Sequence, residues 1–393
     1  ARCVRAARRG CCGAPRGSLR VLHTQLLLRG GARTPLQPAG PEAFWRATLP
    51  SVGLERRLAR VGTILGPKRR QLPPGNNIWG RLTVRGIDEA RATGLRLERW
   101  LAETDDGLGD KETGQDPGTS TRVLTTPDHR AVLTAKAVLS GLCLPGQVVP
   151  VDVSEGSRLQ VQTPAESKAA GVVCAMVGVG SDAQAAGTAA LQDAALDLME
   201  VLGLDPAFLN DASWPRLLDV AETATTFGLL PQGELAECTW QAVLGAPLRS
   251  AKALISDSTS AAESIARLVH LVLRPCIRSA HGIGGERLRI VVMPGYSLLC
   301  LAMALSLNRA LVWPAPSTSL ILETLADEAG VAFVRFWQFR DHWELRPRWH
   351  EGEGPVALVR LLQATSPAAR GTHWQDAAKA PVPEHATAHT SPC

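Results

Sequence analysis

The sequence predicts an α/β protein with a mixed central sheet flanked by helices and a mainly helical cap inserted into it. Three observations carry this: a strand-like apolar run near the start, a middle third with apolar residues at helical spacing, and a return to strand character afterwards. Strand, helix block and strand again imply a parallel or mixed sheet, because sequential strands tend to be neighbours and crossovers are short. The expected division is a basic leader at 1–18, the first part of the core at 19–162, a helical cap insertion at 163–282, the second part of the core at 283–362 and a disordered tail at 363–393.

The leader carries Arg2, Arg5, Arg8, Arg9 and Arg16 and no acid, which is the composition of a mitochondrial transit peptide or of a disordered basic tail. Leu19 to Leu28 (LRVLHTQLLL) reads as a buried strand that ends at Arg29, Gly30 and Gly31, where the backbone is free to turn. From Pro38 to Arg81 the chain is rich in Pro, Gly and Arg without sustained period, so it is expected as a long surface excursion. Ile87, Ala90, Gly94, Leu97 and Leu101 share one face of a helix over Val84 to Ala102. A mobile loop from Thr104 to Ser120, a strand from Arg122 to Thr126 and a helix from His129 to Leu142 follow.

Leu159 to Gly180 alternates apolar runs with a turn; helices are then expected over Thr188 to Leu202, Ser213 to Thr226, Glu234 to Leu244 and Ser260 to Ala280. Strands at Arg287 to Met293, Ser319 to Leu325 and Val331 to Gln338, with a helix at Ser297 to Leu305, complete the core. The apolar run Ile290 to Leu305 is broken by Pro294 and Gly295, so it reads as strand, turn and helix rather than a membrane span.

A net charge of +5, with basic residues scattered among 37 acids, argues against nucleic acid as the main partner. The nine cysteines form no CxxC pair and no His-rich spacing, so no zinc site and no cofactor is expected. Val177 to Gly187 (VGVGSDAQAAG) lacks the spacing of a nucleotide-binding turn, and Gly295, Tyr296 and Ser297 lack the second glycine of a nucleophile elbow.

Leu26 to Pro38 (LLLRGGARTPLQP) resembles the RHGxRxP signature of the histidine acid phosphatases. Leu82 to Gly94 (LTVRGIDEARATG) is similar to that family's LTxxG helix start, and Val123 to Leu142 (VLTTPDHRAVLTAKAVLSGL) to its VRSTDxxRTxxSA segment. Leu288 to Leu307 matches the strand carrying the family's His-Asp pair, and Trp313 to Leu325 its later strand, with Glu323 at the usual acidic position. The ARTPLQP wording points to the lysophosphatidic acid phosphatase branch.

The resemblance implies a reaction in which a neutral imidazole attacks phosphorus, arginines hold the phosphoryl oxygens, and an Asp beside a second His protonates the leaving oxygen. Carried over by position, Arg29 and Arg33 remain as phosphate ligands, while the nucleophile falls on Gly30, a further arginine on Leu124, and the His-Asp pair on Pro294 and Gly295. Arg130 matches the later arginine of its block and would serve as a third phosphate ligand or make a structural ion pair. His129 is the nearby imidazole with any claim to substitute, and His23, inside the strand, reads as a satisfied core histidine. No catalytic residue is expected, since removing a nucleophile alone costs on the order of a million-fold.

The implied protein is a pseudophosphatase that binds a phosphorylated small molecule, a lysophospholipid or a partner protein. Its rivals are a weak hydrolase acting on lysophosphatidic acid and a degenerate copy without function.

Overall fold

The structure is a computed structural model, which describes residues 19–66, 77–103, 120–142, 149–153, 156–161, 181–205, 214–230, 237–256, 260–283, 285–307, 313–339, 343–347, 350 and 354–365. The leader, the Thr104 to Ser120 loop except its last residue, most of Leu159 to Gly180 and the tail beyond 365 lie outside the described residues.

Among the described residues one sheet is built from β1 (Arg20–Arg29), β2 (Gly62–Leu65), β3 (Thr121–Thr125), β4 (Val149–Asp152), β5 (Leu288–Met293), β6 (Ser319–Ala326), β7 (Ala332–Gln338), β8 (Trp343–Leu345) and β9 (Val356–Ala357). Its order is β2-β4-β3-β5-β1-β6-β7-β8, with β9 also on β7. The half from β2 to β1 is parallel, and β6, β7 and β8 each run antiparallel to the preceding neighbour.

From His23 to Arg29 β1 is buried at every position because both its faces are covered. Leu26, Leu28, Val123, Ile290 and Val292 point to a core shared with α3 (Val84–Glu103) and α4 (His129–Gly141). Leu27, Leu124, Val291 and Met293 point the other way, to α8 (Ser260–Ala280) and α9 (Gly295–Ala304). Alternation within an unbroken apolar stretch thus yields two cores and a three-layer sandwich. The stripe read on α3 is buried as expected, and Gly94 is there for contact. A Cβ on Gly94 would lie 2.1 Å from the Val138 carbonyl oxygen, and one on Gly141 would lie 2.1 Å from that of Arg91. The two helices therefore touch backbone to backbone.

The excursion from Pro38 to Arg81 is not irregular throughout. It contains α1 (Glu42–Ala47), α2 (Val52–Ala59) and the edge strand β2. These elements are too short for a 3.6-residue period to declare itself, and isolated helices of this length do not persist without tertiary support. Here Trp45 is buried, donates from Nε1 to the Ala39 carbonyl at 2.6 Å and meets Phe227 edge-on at 5.4 Å. Ser51 caps α2 by accepting from the Leu54 amide at 3.2 Å.

Between β4 and β5 lie α5 (Ser181–Leu202), α6 (Trp214–Thr226), α7 (Glu237–Ser256) and α8. The segment is not uniform. Ala194, Leu198, Leu217, Ala221 and Val243 form a separate cluster, whereas the second half of α7 and α8 from Ile265 to Cys276 pack toward the sheet. α7 runs twelve residues past its expected end at Leu244 and carries Pro247 inside it. The final helix, α10 (Leu358–Ala364), packs beside β9.

Glu323 in β6 is fully buried and its carboxylate is saturated. Oε1 accepts from Trp100 Nε1 at 3.0 Å; Oε2 accepts from Trp337 Nε1 at 2.9 Å and from Arg335 Nε and Nη2 at 3.0 and 2.8 Å. One side chain thereby ties α3, β6 and β7 together. Glu323→Ala is expected to cost about 3 kcal/mol or more, because three donors lose a buried acceptor. Guanidinium denaturation checks this, with Glu323→Gln falling between the variant and the parent.

Candidate functional site

The carboxyl ends of β1, β3 and β5 lie side by side, with Arg29 opposite Met293 and Thr125 opposite Val292. The loops that leave them, Gly30 to Arg33, Thr126 to Arg130 and Pro294 to Tyr296, line one cleft of about 720 Å³. α6 supplies another wall through Leu218, Asp219 and Glu222. Ligands of parallel sheets bind at such strand ends. The motif positions that the sequence singled out are therefore brought together, Gly30 and Gly295 included.

What meets the arginines is the main finding. Arg29, only 7% exposed, gives both terminal nitrogens to the Glu222 carboxylate and one also to the Pro314 carbonyl. Its guanidinium lies 5.1 Å from the Trp313 ring centre, and Trp313 Nε1 donates to the same Glu222 at 3.1 Å. Arg33 forms an ion pair with Asp219, whose second oxygen accepts from the Leu36 amide at 2.7 Å. Asp219 and Glu222 are three residues apart on α6 and so share a face. Both retained phosphate-ligand candidates are already paired with internal carboxylates.

Arg130 differs. Among the described residues no carboxylate forms an ion pair with it, so the structural ion pair considered from sequence is not what holds it. Burial pulls its pKa down to about 9, Arg33 adds to that, and Asp128 and Asp219 oppose it. It remains a cation at neutral pH. A Cβ added to Gly30 would lie 3.7 Å from Arg130 Nε, an ordinary contact, so the position that the sequence resemblance matches to a nucleophile has room for a Cβ beside a guanidinium.

The other positions named by the resemblance are filled. A Cβ on Gly295 would lie 2.7 Å from Arg29 Nε, because Arg29 folds across the space in front of this residue. Leu124 is committed to the core with Leu27 and Val291. Pro294 caps α9. Ser297 is fully buried and accepts from the Val161 amide at 3.0 Å, so it has no free access to a substrate.

His129 lines the cleft, yet its electrostatic neighbours are Glu55, Arg81 and Lys136, whereas those of Arg130 are Arg33, Asp128, Asp219 and Arg29. The two adjacent residues answer to different sides of the cleft. Burial lowers the His129 pKa, which favours neutral imidazole, but nothing places that ring over the arginines. His23 is buried, and its Nε2 lies 3.2 Å from Glu286.

Sequence reasoning missed Asp219 and Glu222. Their spacing on an expected helix was a signal that they share a face; that the face meets two arginines some 190 residues earlier was not. Among the described residues no cluster of three or more His, Cys, Asp or Glu could hold a metal, and no helix is long and apolar enough to cross a membrane.

No protein-family model matches the chain, and no curated protein is similar to it in sequence. Solved structures do resemble it. A Bifidobacterium longum multiple inositol polyphosphate phosphatase in complex with inositol hexasulfate superposes with a TM-score of 0.59 at 13% identity, over 94% of this chain and 96% of that one. Phytases from Hafnia alvei and Citrobacter braakii give TM-scores of 0.57 and 0.56 at 13% and 15% identity, over 91% and 90% of this chain and 99% of each of theirs. The fold is that of the histidine acid phosphatases.

The His23 environment yields a pH prediction. Burial would raise the Glu286 pKa, but hydrogen bonds from His23 and Arg289 outweigh it and bring it to about 2; burial lowers the pKa of His23. Both folded-state values lie below those of the unfolded chain, so the unfolded state binds more protons as pH falls. Stability should decline below about pH 6.5 through His23 and further between about 4.5 and 2 through Glu286. Denaturation midpoints measured across this range should fall less steeply below pH 4.5 in Glu286→Gln than in the parent.

Proposed function

We propose that this protein is a catalytically silent relative of the histidine acid phosphatases that takes a phosphorylated ligand into its cleft without hydrolysing it. The observation that carries the reading is Gly30: at the end of β1, beside Arg130, the position matched to the nucleophile has no side chain. Without an imidazole no phosphohistidine forms, and without an acid at Gly295 a departing alkoxide receives no proton. Arg29, Arg33 and Arg130 are the groups suited to phosphoryl oxygens, whose charge they would share as forked donors.

A lysophospholipid is the first ligand to test. The ARTPLQP wording favours it, and so does an apolar pocket of about 200 Å³ lined by Pro35, Trp45, Val220 and Leu229, which shares the lining residue Thr223 with the cleft. A single alkyl chain suits such a lining.

Phosphate release from p-nitrophenyl phosphate and from lysophosphatidic acid should not exceed that of an Arg33→Ala control. Turnover clearly above that control would overturn the reading in favour of a weak hydrolase. Because the slot beside Arg130 is open, Gly30→His should fold. It is expected to release p-nitrophenolate, a leaving group that departs without a proton, and to leave lysophosphatidic acid intact.

A further inference from the structure

Asp219 and Glu222 lie where the anionic oxygens of a ligand would be needed. Glu222 engages Arg29 through both oxygens and also receives Trp313; Asp219 engages Arg33 and receives the Leu36 amide. We infer that these two acids determine which ligands the cleft admits, acting as an internal dianion over Arg29 and Arg33 that an incoming phosphomonoester must displace. The inference rests on the reading of the cleft as a phosphate-ester site and adds to it the competitor and the charge class.

The argument is one of charge and connectivity. Two carboxylates carry a charge of −2, and a phosphomonoester at pH 7 carries about −1.5 to −2. Exchanging one for the other leaves the balance over the two guanidinium groups nearly unchanged. A monoanion displacing both acids would leave one arginine uncompensated in a largely buried place, which is strongly unfavourable. Arg130, with no carboxylate paired to it among the described residues, remains available to meet the ligand before the exchange. Both acids ride on α6, so displacement frees that helix from the loop after β1 and from Trp313 at once. Admission of ligand is thereby coupled to loosening of α6.

The test titrates the full chain calorimetrically with inorganic phosphate at pH 7.5, using nitrate as the monoanion. The parent, the double variant Asp219→Asn/Glu222→Gln, and Glu89→Gln, which removes one negative charge outside the cleft, are compared. The double variant should bind phosphate at least tenfold more tightly than the parent and gain affinity for nitrate, while Glu89→Gln stays within twofold. Equal phosphate affinity in parent and double variant would overturn the competition and leave the phosphate site standing. No phosphate binding by any of the three would overturn both the inference and the ligand reading. Should the double variant not fold, amide hydrogen exchange in the parent decides. Saturating phosphate, against chloride at equal ionic strength, should speed exchange in residues 214–226, and unchanged exchange would refute the coupling.

Discussion

The parallel pairing of β1 with β5 is the constraint on which the cleft depends. It sets Arg29 opposite Met293, so that Gly30 and the Pro294–Gly295 pair leave the sheet side by side, and β3 on the far side of β5 delivers Arg130 to the same edge. The pairing is fixed by burial. With Leu26 and Leu28 on one face and Leu27 on the other, a slip of one residue would exchange the faces of every side chain in the strand. Any anion bound at these strand ends meets whatever side chains this register presents.

Electrostatics then decides what the cleft contains. An arginine buried without a counter-charge is costly, and a cleft that keeps two such arginines needs an anion from a ligand or from the chain itself. Here the chain provides it: Glu222 and Asp219 close on Arg29 and Arg33, and Arg29, drawn toward Glu222, covers Gly295. The absence of a side chain at Gly295 and the pairing of Arg29 are thus geometrically linked, because the guanidinium uses space that a side chain there would need. Gly30 is different, since it lines the cleft and a Cβ there would make only an ordinary contact with Arg130.

The likeness to phytases and to an inositol polyphosphate phosphatase at 13–15% identity illustrates how little sequence a shared scaffold requires. Sheet order and flanking helices need only apolar residues at the right period, which many sequences satisfy. Catalysis needs particular atoms at particular places, and fold alone does not provide them. Glu323 shows the other side of this. It sits at the acidic position expected from the family likeness, and here it accepts hydrogen bonds from Trp100, Trp337 and Arg335 in the core.

The sequence by itself determined the long elements, β1, α3, α4, α8, β5 and β6, because each carries enough apolar residues at one period to identify its type and buried face. From the family resemblance it also led to the expectation that Gly30, Pro294 and Gly295 stand where such a phosphatase carries its reacting groups. It could not reveal α1, α2, β2 or the short strands at the sheet's far edge, whose stability comes from neighbours rather than local pattern. Nor could it reveal the partners of Arg29 and Arg33. Only the tertiary structure decided those, because an ion pair between residues 193 or 186 positions apart depends on how α6 is laid across the strand ends, and no local spacing encodes that.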